Sequence, residues 1–164
     1  MKHALFALAI AIAGIGSAAA GQTTSEQLAP ALAARIAALG GQTKILTAGD
    51  ERVVEVTVPA GRFYLGSRSC PVQAECRSID LWVTLKPSRP MPASAVADWN
   101  AHQRFAKASL GPAGEPELGM TAILSKEPGL EPFDAVYRVW TDALRRFVAL
   151  AYGPRPRSGP APRP

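Results

Sequence analysis

This chain of 164 residues has little of the material from which catalytic sites are built. It has two histidines, His3 and His102, and two cysteines, Cys70 and Cys76. The glycine loops GxGxxG and GxxxxGK follow no stretch of strand character, which excludes the common phosphate cradles. Acids are scattered: Asp50 and Glu51 in a turn, Asp80 in a strand, Glu115 and Glu117 around a hairpin. No spacing sets two carboxylates against each other, as glycoside hydrolysis requires. There is no internal repeat and no sign of a second domain.

The one long apolar stretch is at the start. MKHALFALAIAIAGIGSAAA (1–20) has a positive residue, Lys2, and an apolar run over 4–15 broken only by Gly14. Ala18-Ala19-Ala20 supplies a small-residue cleavage pattern, so the expectation is a signal peptide and a mature chain from about Gly21. The run is short of the ~20 residues a membrane helix needs, so no stable span is expected after cleavage. The destination would be the periplasm or the exterior, and no lipobox cysteine follows.

Export changes how the cysteines read. SCPVQAEC separates Cys70 from Cys76 by five residues. Two thiolates without nearby His or Cys partners cannot complete a tetrahedral metal site, and the spacing is not that of a redox Cys-x-x-Cys. A disulfide pinning a loop is expected instead, contributing about 2 kcal/mol for so short a ring.

The formal charge of +5 is unevenly placed. Losing Lys2 leaves +4, and Arg155, Arg157 and Arg163 of the tail GPRPRSGPAPRP (153–164) account for +3 of that. A nearly neutral body gives no basic face for nucleic acid. The tail, with five prolines and no large apolar residue, is expected to be extended. It reads as a solubilising terminus or as a weak contact with anionic polymer or lipid headgroups. The compact domain is expected over 21–152.

Within that domain, SEQLAPALAARIAAL (25–39) carries a helical stripe of Leu28, Leu32, Ile36 and Leu39, stopped by Gly40-Gly41. Pro30 sits late for a first-turn proline, which suggests a regular start nearer residue 29. Strand character follows at 43–48, 52–58 and 62–66. RSIDLWVTL (77–85) alternates, with Ile79, Leu81, Val83 and Leu85 on one face and Ser78, Asp80, Trp82 and Thr84 on the other. After a proline-rich crossover, a second helix is expected from Ala93 or Ser94 to Gln103. A hairpin of 104–110 and 116–124 comes next. FDAVYRVWTDALRRFVAL (133–150) has the strongest helical period, through Phe133, Val136, Tyr137, Trp140, Leu144, Phe147 and Val148. Arg145 and Arg146 are placed to complement its last turn. The order helix, strands, helix, two strands, helix implies an α+β domain, with helices over at least one face of a mostly antiparallel sheet.

ADWNAHQRFAKASL (97–110) is the densest polar segment. Asp98 and His102, at i and i+4, are read as a solvated helix-face pair rather than catalytic groups. Asn100 and Arg104 can bond each other or the backbone at the helix end. Trp99 and Phe105 are expected to anchor the corner in the core. Arg77, Arg104 and Lys107 form an anion site only if the sheet gathers them. Trp82, on the polar face of its strand, either packs under a helix or marks a contact surface.

Trp99-Asn100, three residues, then Arg104-Phe105-Ala106-Lys107-Ala108 and Leu110 resembles the hallmark of the YbjN domain family. Cys76-Arg77-Ser78 before an alternating strand, Leu118 and Met120, and Trp140 extend the resemblance over about residues 27–150. Thr121 stands where the family commonly has an acid, and Glu127-Pro128-Gly129-Leu130 replaces a Gly-Gly-Val-like turn. The resemblance implies a bacterial sensory transduction regulator with a fold similar to type III secretion chaperones. It brings no catalytic residues, cofactor or metal ligands. It implies a structural role for Trp99, Asn100, Arg104, Phe105 and Lys107. The resulting expectation is a non-enzymatic, chaperone-like or regulatory interaction module of the cell envelope. Its partner would be another protein, or a second copy in a homodimer, with Trp82 and Arg77 in contact. The alternative is a module for small ligands or anionic envelope polymers.

Overall fold

The computed structural model describes residues 25–48, 51–67, 78–123 and 131–153. The expected signal peptide, Cys70 and Cys76, Arg77, and the tail beyond Gly153 lie outside the described residues. The elements are α1 (Ser25–Ala38), β1 (Gln42–Ala48), β2 (Glu51–Val58), β3 (Gly61–Gly66), β4 (Ser78–Thr84), α2 (Ala93–His102), β5 (Lys107–Leu110), β6 (Pro116–Ile123) and α3 (Glu131–Tyr152). The fold is α+β, with the order and antiparallel pairing that the sequence implies. The six strands run β1-β2-β3-β4-β6-β5 across one sheet.

Strand periodicity decides which way the sheet faces, because successive side chains point to opposite sides. Val54 and Val56 of β2, Phe63 and Leu65 of β3, and Ile79, Leu81 and Val83 of β4 are all buried, as are Leu118 and Met120 of β6 and Ala108 of β5. The antiparallel registers place them on one side of the sheet. The helices lie on that side. Leu28, Leu32 and Ile36 of α1 and Phe133, Tyr137, Trp140, Leu144 and Phe147 of α3 complete the core. The Phe63 and Trp140 rings meet at 5.5 Å, and each fully buried large apolar side chain contributes about 2–3 kcal/mol.

α1 is helical from Ser25 with Pro30 inside it, earlier than the proline suggests. Leu39 lies beyond its end and is 40% exposed, so the apolar stripe stops at Ile36. Gly40, at φ 87°, lets the chain leave the helix, a left-handed step that glycine makes without strain. A Cβ on Gly41 would sit 2.6 Å from Ile36 Cγ2 and 2.8 Å from Tyr137 Oη. One clasp joins the two covering helices: Arg35 Nε and Nη2 donate to the two Asp134 carboxylate oxygens at 2.8 and 2.5 Å. That bidentate pair holds the Asp134 carboxyl below the usual carboxylate range, chiefly through the hydrogen bond.

α3 runs two residues past the expected end, so Arg145 and Arg146 are not in its last turn. They pair instead with Asp142, at 2.5 and 2.7 Å.

Candidate functional site

The segment 99–110, which looked most like a site, builds the edge of the sheet. Among the described residues β5 is an edge strand, paired only with β6. Trp99 is buried, its ring edge-on to Phe147 at 5.1 Å, and its Nε1 donates to the Ala106 carbonyl at 3.0 Å. Asn100 does the work of a missing neighbouring strand. Its Nδ2 donates to the Ala108 carbonyl at 2.9 Å, and its Oδ1 accepts from the Ala108 N–H at 2.8 Å. Both outward backbone groups of Ala108 are thereby satisfied, which closes that point of the edge to another strand. Lys107 Nζ donates to the carbonyls of Asn100 and Gln103 at 3.0 and 2.7 Å, where α2 leaves its carbonyls without intrahelical partners.

One expectation for this segment needs correction, and two of its pairings are made to backbone. Phe105 is 64% exposed and does not anchor the core. The chain bends over 104–106 and β5 starts only at Lys107, so Ala106 and Ala108 take the inner positions beneath Trp99. Asp98 and His102 are both exposed on α2 and meet one turn apart, through His102 Nδ1 and the Asp98 backbone carbonyl at 2.8 Å. Asn100 reaches across to β5 rather than to Arg104, which is exposed. Of the three cations proposed for an anion site, Lys107 donates to the end of α2, Arg104 is exposed, and Arg77 lies outside the described residues.

The candidate site lies on the other side of the sheet. Among the described residues no helix covers it, and its side chains are half-buried or exposed. The registers define one continuous row: Lys44, Glu55, Tyr64, Trp82, Gly119 and Lys107, from β1 to β5. At its centre Tyr64 and Trp82 stack at 5.9 Å with an interplanar angle of 28°. Glycines shape the surface around them. The Trp82 ring comes within 3.6 Å of the point where a Gly66 Cβ would be, so the indole leans across the bare backbone of β3. At Gly119, opposite Trp82 on β6, a Cβ would meet nothing within 4 Å, which leaves a notch beside the indole.

Two polar rows flank the aromatics. On one side Thr121 Oγ1 donates to Asp80 at 2.6 Å. On the other, Thr84 and Ser109 hydroxyls reach the two oxygens of Glu117 at 3.5 and 3.3 Å. Arg62 lies 3.5 Å from Glu55. Asp80 and Glu117 therefore meet hydroxyls but no cation among the described residues. The face is an aromatic platform with a carboxylate on either side. Such a surface suits stacking and charge-assisted hydrogen bonding of a cationic or planar group.

Sequence reading singled out Trp82 but missed Tyr64, Asp80, Glu117 and Gly119. Alternation in β3, β4 and β6 places them on the face opposite the core. Their grouping depends on the pairing of β4 with β3 and β6, which alternation alone does not supply.

A six-stranded antiparallel sheet with α1 and α3 over one side, α2 at its β5 edge and, among the described residues, no helix over the partly aromatic opposite side defines an α+β domain. Residues 29–151 match the YbjN family model, described as "Putative bacterial sensory transduction regulator". The chain belongs to the YbjN family. A comparison with curated proteins gives no match. Among the described residues, no helix is long and apolar enough to cross a membrane, and no group of three His, Cys, Asp or Glu side chains is placed to hold a metal ion.

Proposed function

We propose that this is an exported, non-enzymatic interaction module of the cell envelope that binds polypeptide across the open face of its sheet, at Tyr64 and Trp82. The observation that carries this reading is the stacked pair itself. Two large aromatics stand on the side of the sheet that the helices leave open, beside a glycine notch, with carboxylates to either side. Half-buried aromatics supply most of the energy of protein contacts, and the surrounding polar groups orient the partner. The family description, as a regulator, agrees with a role exercised through contact.

Binding of an anionic envelope polymer has weaker support, because Lys107 already donates to the end of α2 and the open face presents carboxylates. For catalysis, the one histidine among the described residues, His102, is exposed, and its ring meets backbone.

Site-directed photo-crosslinking in the periplasm tests the proposal. With p-benzoylphenylalanine in place of Tyr64, adducts to another polypeptide, or to a second copy, are expected. The same group in place of Arg138, exposed on α3, should give none. No adduct from either position, or equal adducts from both, contradicts the reading.

A further inference from the structure

We propose that the Pro/Arg-rich segment 154–164 of this chain folds back over the open face and occupies the Tyr64–Trp82 site. This inference rests on reading that face as a polypeptide-binding surface, and it names the chemistry the surface selects: an extended chain in which proline alternates with arginine.

The first argument is where the segment departs. The Tyr152 hydroxyl accepts from the Lys86 N–H at 3.1 Å, which holds the end of α3 beside the end of β4. At Gly153 the chain leaves the helix, with its N–H bonded to the Ala149 carbonyl at 2.8 Å. A Cβ there would lie 2.3 Å from that carbonyl oxygen, so this close exit requires glycine. Thr84, at the same end of β4, is on the open face, and Trp82 is about 7 Å further along the strand. A polyproline II chain advances about 3.1 Å per residue, so the eleven residues from Pro154 to Pro164 span about 34 Å. That is enough to round the sheet end and cross both aromatics.

The second argument is complementarity. Polyproline II has three residues per turn, so Pro154, Arg157, Pro160 and Arg163 share one ridge at about 9 Å intervals. Across the face, Asp80 is about 7 Å from Trp82 along β4, and Glu117 about 8 Å away on β6. An Arg–Pro–Arg ridge therefore meets a carboxylate–indole–carboxylate surface of similar spacing. Pro160 would lie on the Trp82–Tyr64 platform, as proline-rich chains lie on aromatic grooves, with Arg157 and Arg163 directed to the two acids. The recess closer to the tail, between residues 87–92 and the end of α3, is lined by Arg89 and by prolines of its own. Like charge and the absence of an acid make it the poorer seat.

The test uses the purified full-length mature chain with p-benzoylphenylalanine in place of Tyr64, and fluorotryptophan labelling of the otherwise unaltered chain. Crosslinked-peptide mapping should place the adduct within 154–164 of the same molecule. Its yield should fall several-fold at 1 M salt and in the Arg157→Glu, Arg163→Glu double variant. The Trp82 fluorine resonance, assigned by Trp82→Phe, should move in that variant, while those of Trp99 and Trp140 stay fixed. No adduct to the tail, a Trp82 resonance indifferent to both changes, or adducts only between isotopically distinct chains would each overturn the proposal. Partner adducts from residue 64 in the periplasm without any tail adduct would sink the tail assignment and leave the binding face standing.

Discussion

The two faces of the sheet are made from the same strands, residue by alternate residue, yet they do different jobs. On the covered side Val54, Val56, Phe63, Leu65, Ile79, Leu81, Val83 and Leu118 are almost wholly buried against α1 and α3. On the open side the alternating partners are mostly charged, hydroxylic or glycine; Leu46, Val53 and Ile123 are aliphatic, and Tyr64 and Trp82 form the aromatic centre. An aromatic in the core is explained by packing. An aromatic pair on the polar side, with a bare Gly119 beside it, is explained by what it touches. The comparison separates stability from function by position, and substitutions on either side should behave accordingly.

The largest effect is expected on the covered side. Trp140→Ala removes a wholly buried indole packed on Phe63 and should cost about 3–5 kcal/mol in urea unfolding. An intermediate effect should appear at the sheet edge. Asn100→Ala leaves the Ala108 N–H and carbonyl without their partner, at a cost of about 1–3 kcal/mol. It also reopens β5 to strand pairing, so association that grows with concentration should accompany the loss, measurable by sedimentation.

Acid should loosen the covering layer in a defined direction. The native Asp134 pKa lies below its unfolded value, so the Arg35 clasp contributes fully above about pH 4. The contribution falls away as pH drops through the lowered native value. Asp134→Asn should flatten that part of the acid unfolding profile followed by circular dichroism. The smallest effect belongs to Phe105→Ser, since that ring is 64% exposed, and its stability should change by no more than about 0.5 kcal/mol.

What could be read from the sequence follows from the range of the interactions. Alternation in β2 to β4 and the stripe on α3 are local patterns, and they located the elements and the core. The Arg35–Asp134 clasp joins residues 99 apart in the chain, and no local pattern connects them. Nor does spacing distinguish an Asn100 that bonds Arg104 from one that bonds the backbone of Ala108, because the choice depends on where α2 docks on β5. Phe105 departs from the expected strand because the alternation of 104–110 belongs to a strand only from Lys107, and the three residues before it are a bend whose alanine, Ala106, faces inward. Trp82 could be recognised as out of place on a polar face. Its stacking partner Tyr64 becomes visible only through the β3–β4 register.

The most direct test of the division between the faces is urea unfolding of Trp82→Ala beside Trp140→Ala, each followed by circular dichroism. The account predicts that Trp82→Ala loses about 1–2 kcal/mol, from the stacking contact to Tyr64 and the half-buried indole, while Trp140→Ala loses more, about 3–5 kcal/mol. Equal destabilisation by the two substitutions would make Trp82 a core residue in its own right and would contradict the assignment of the open face to binding.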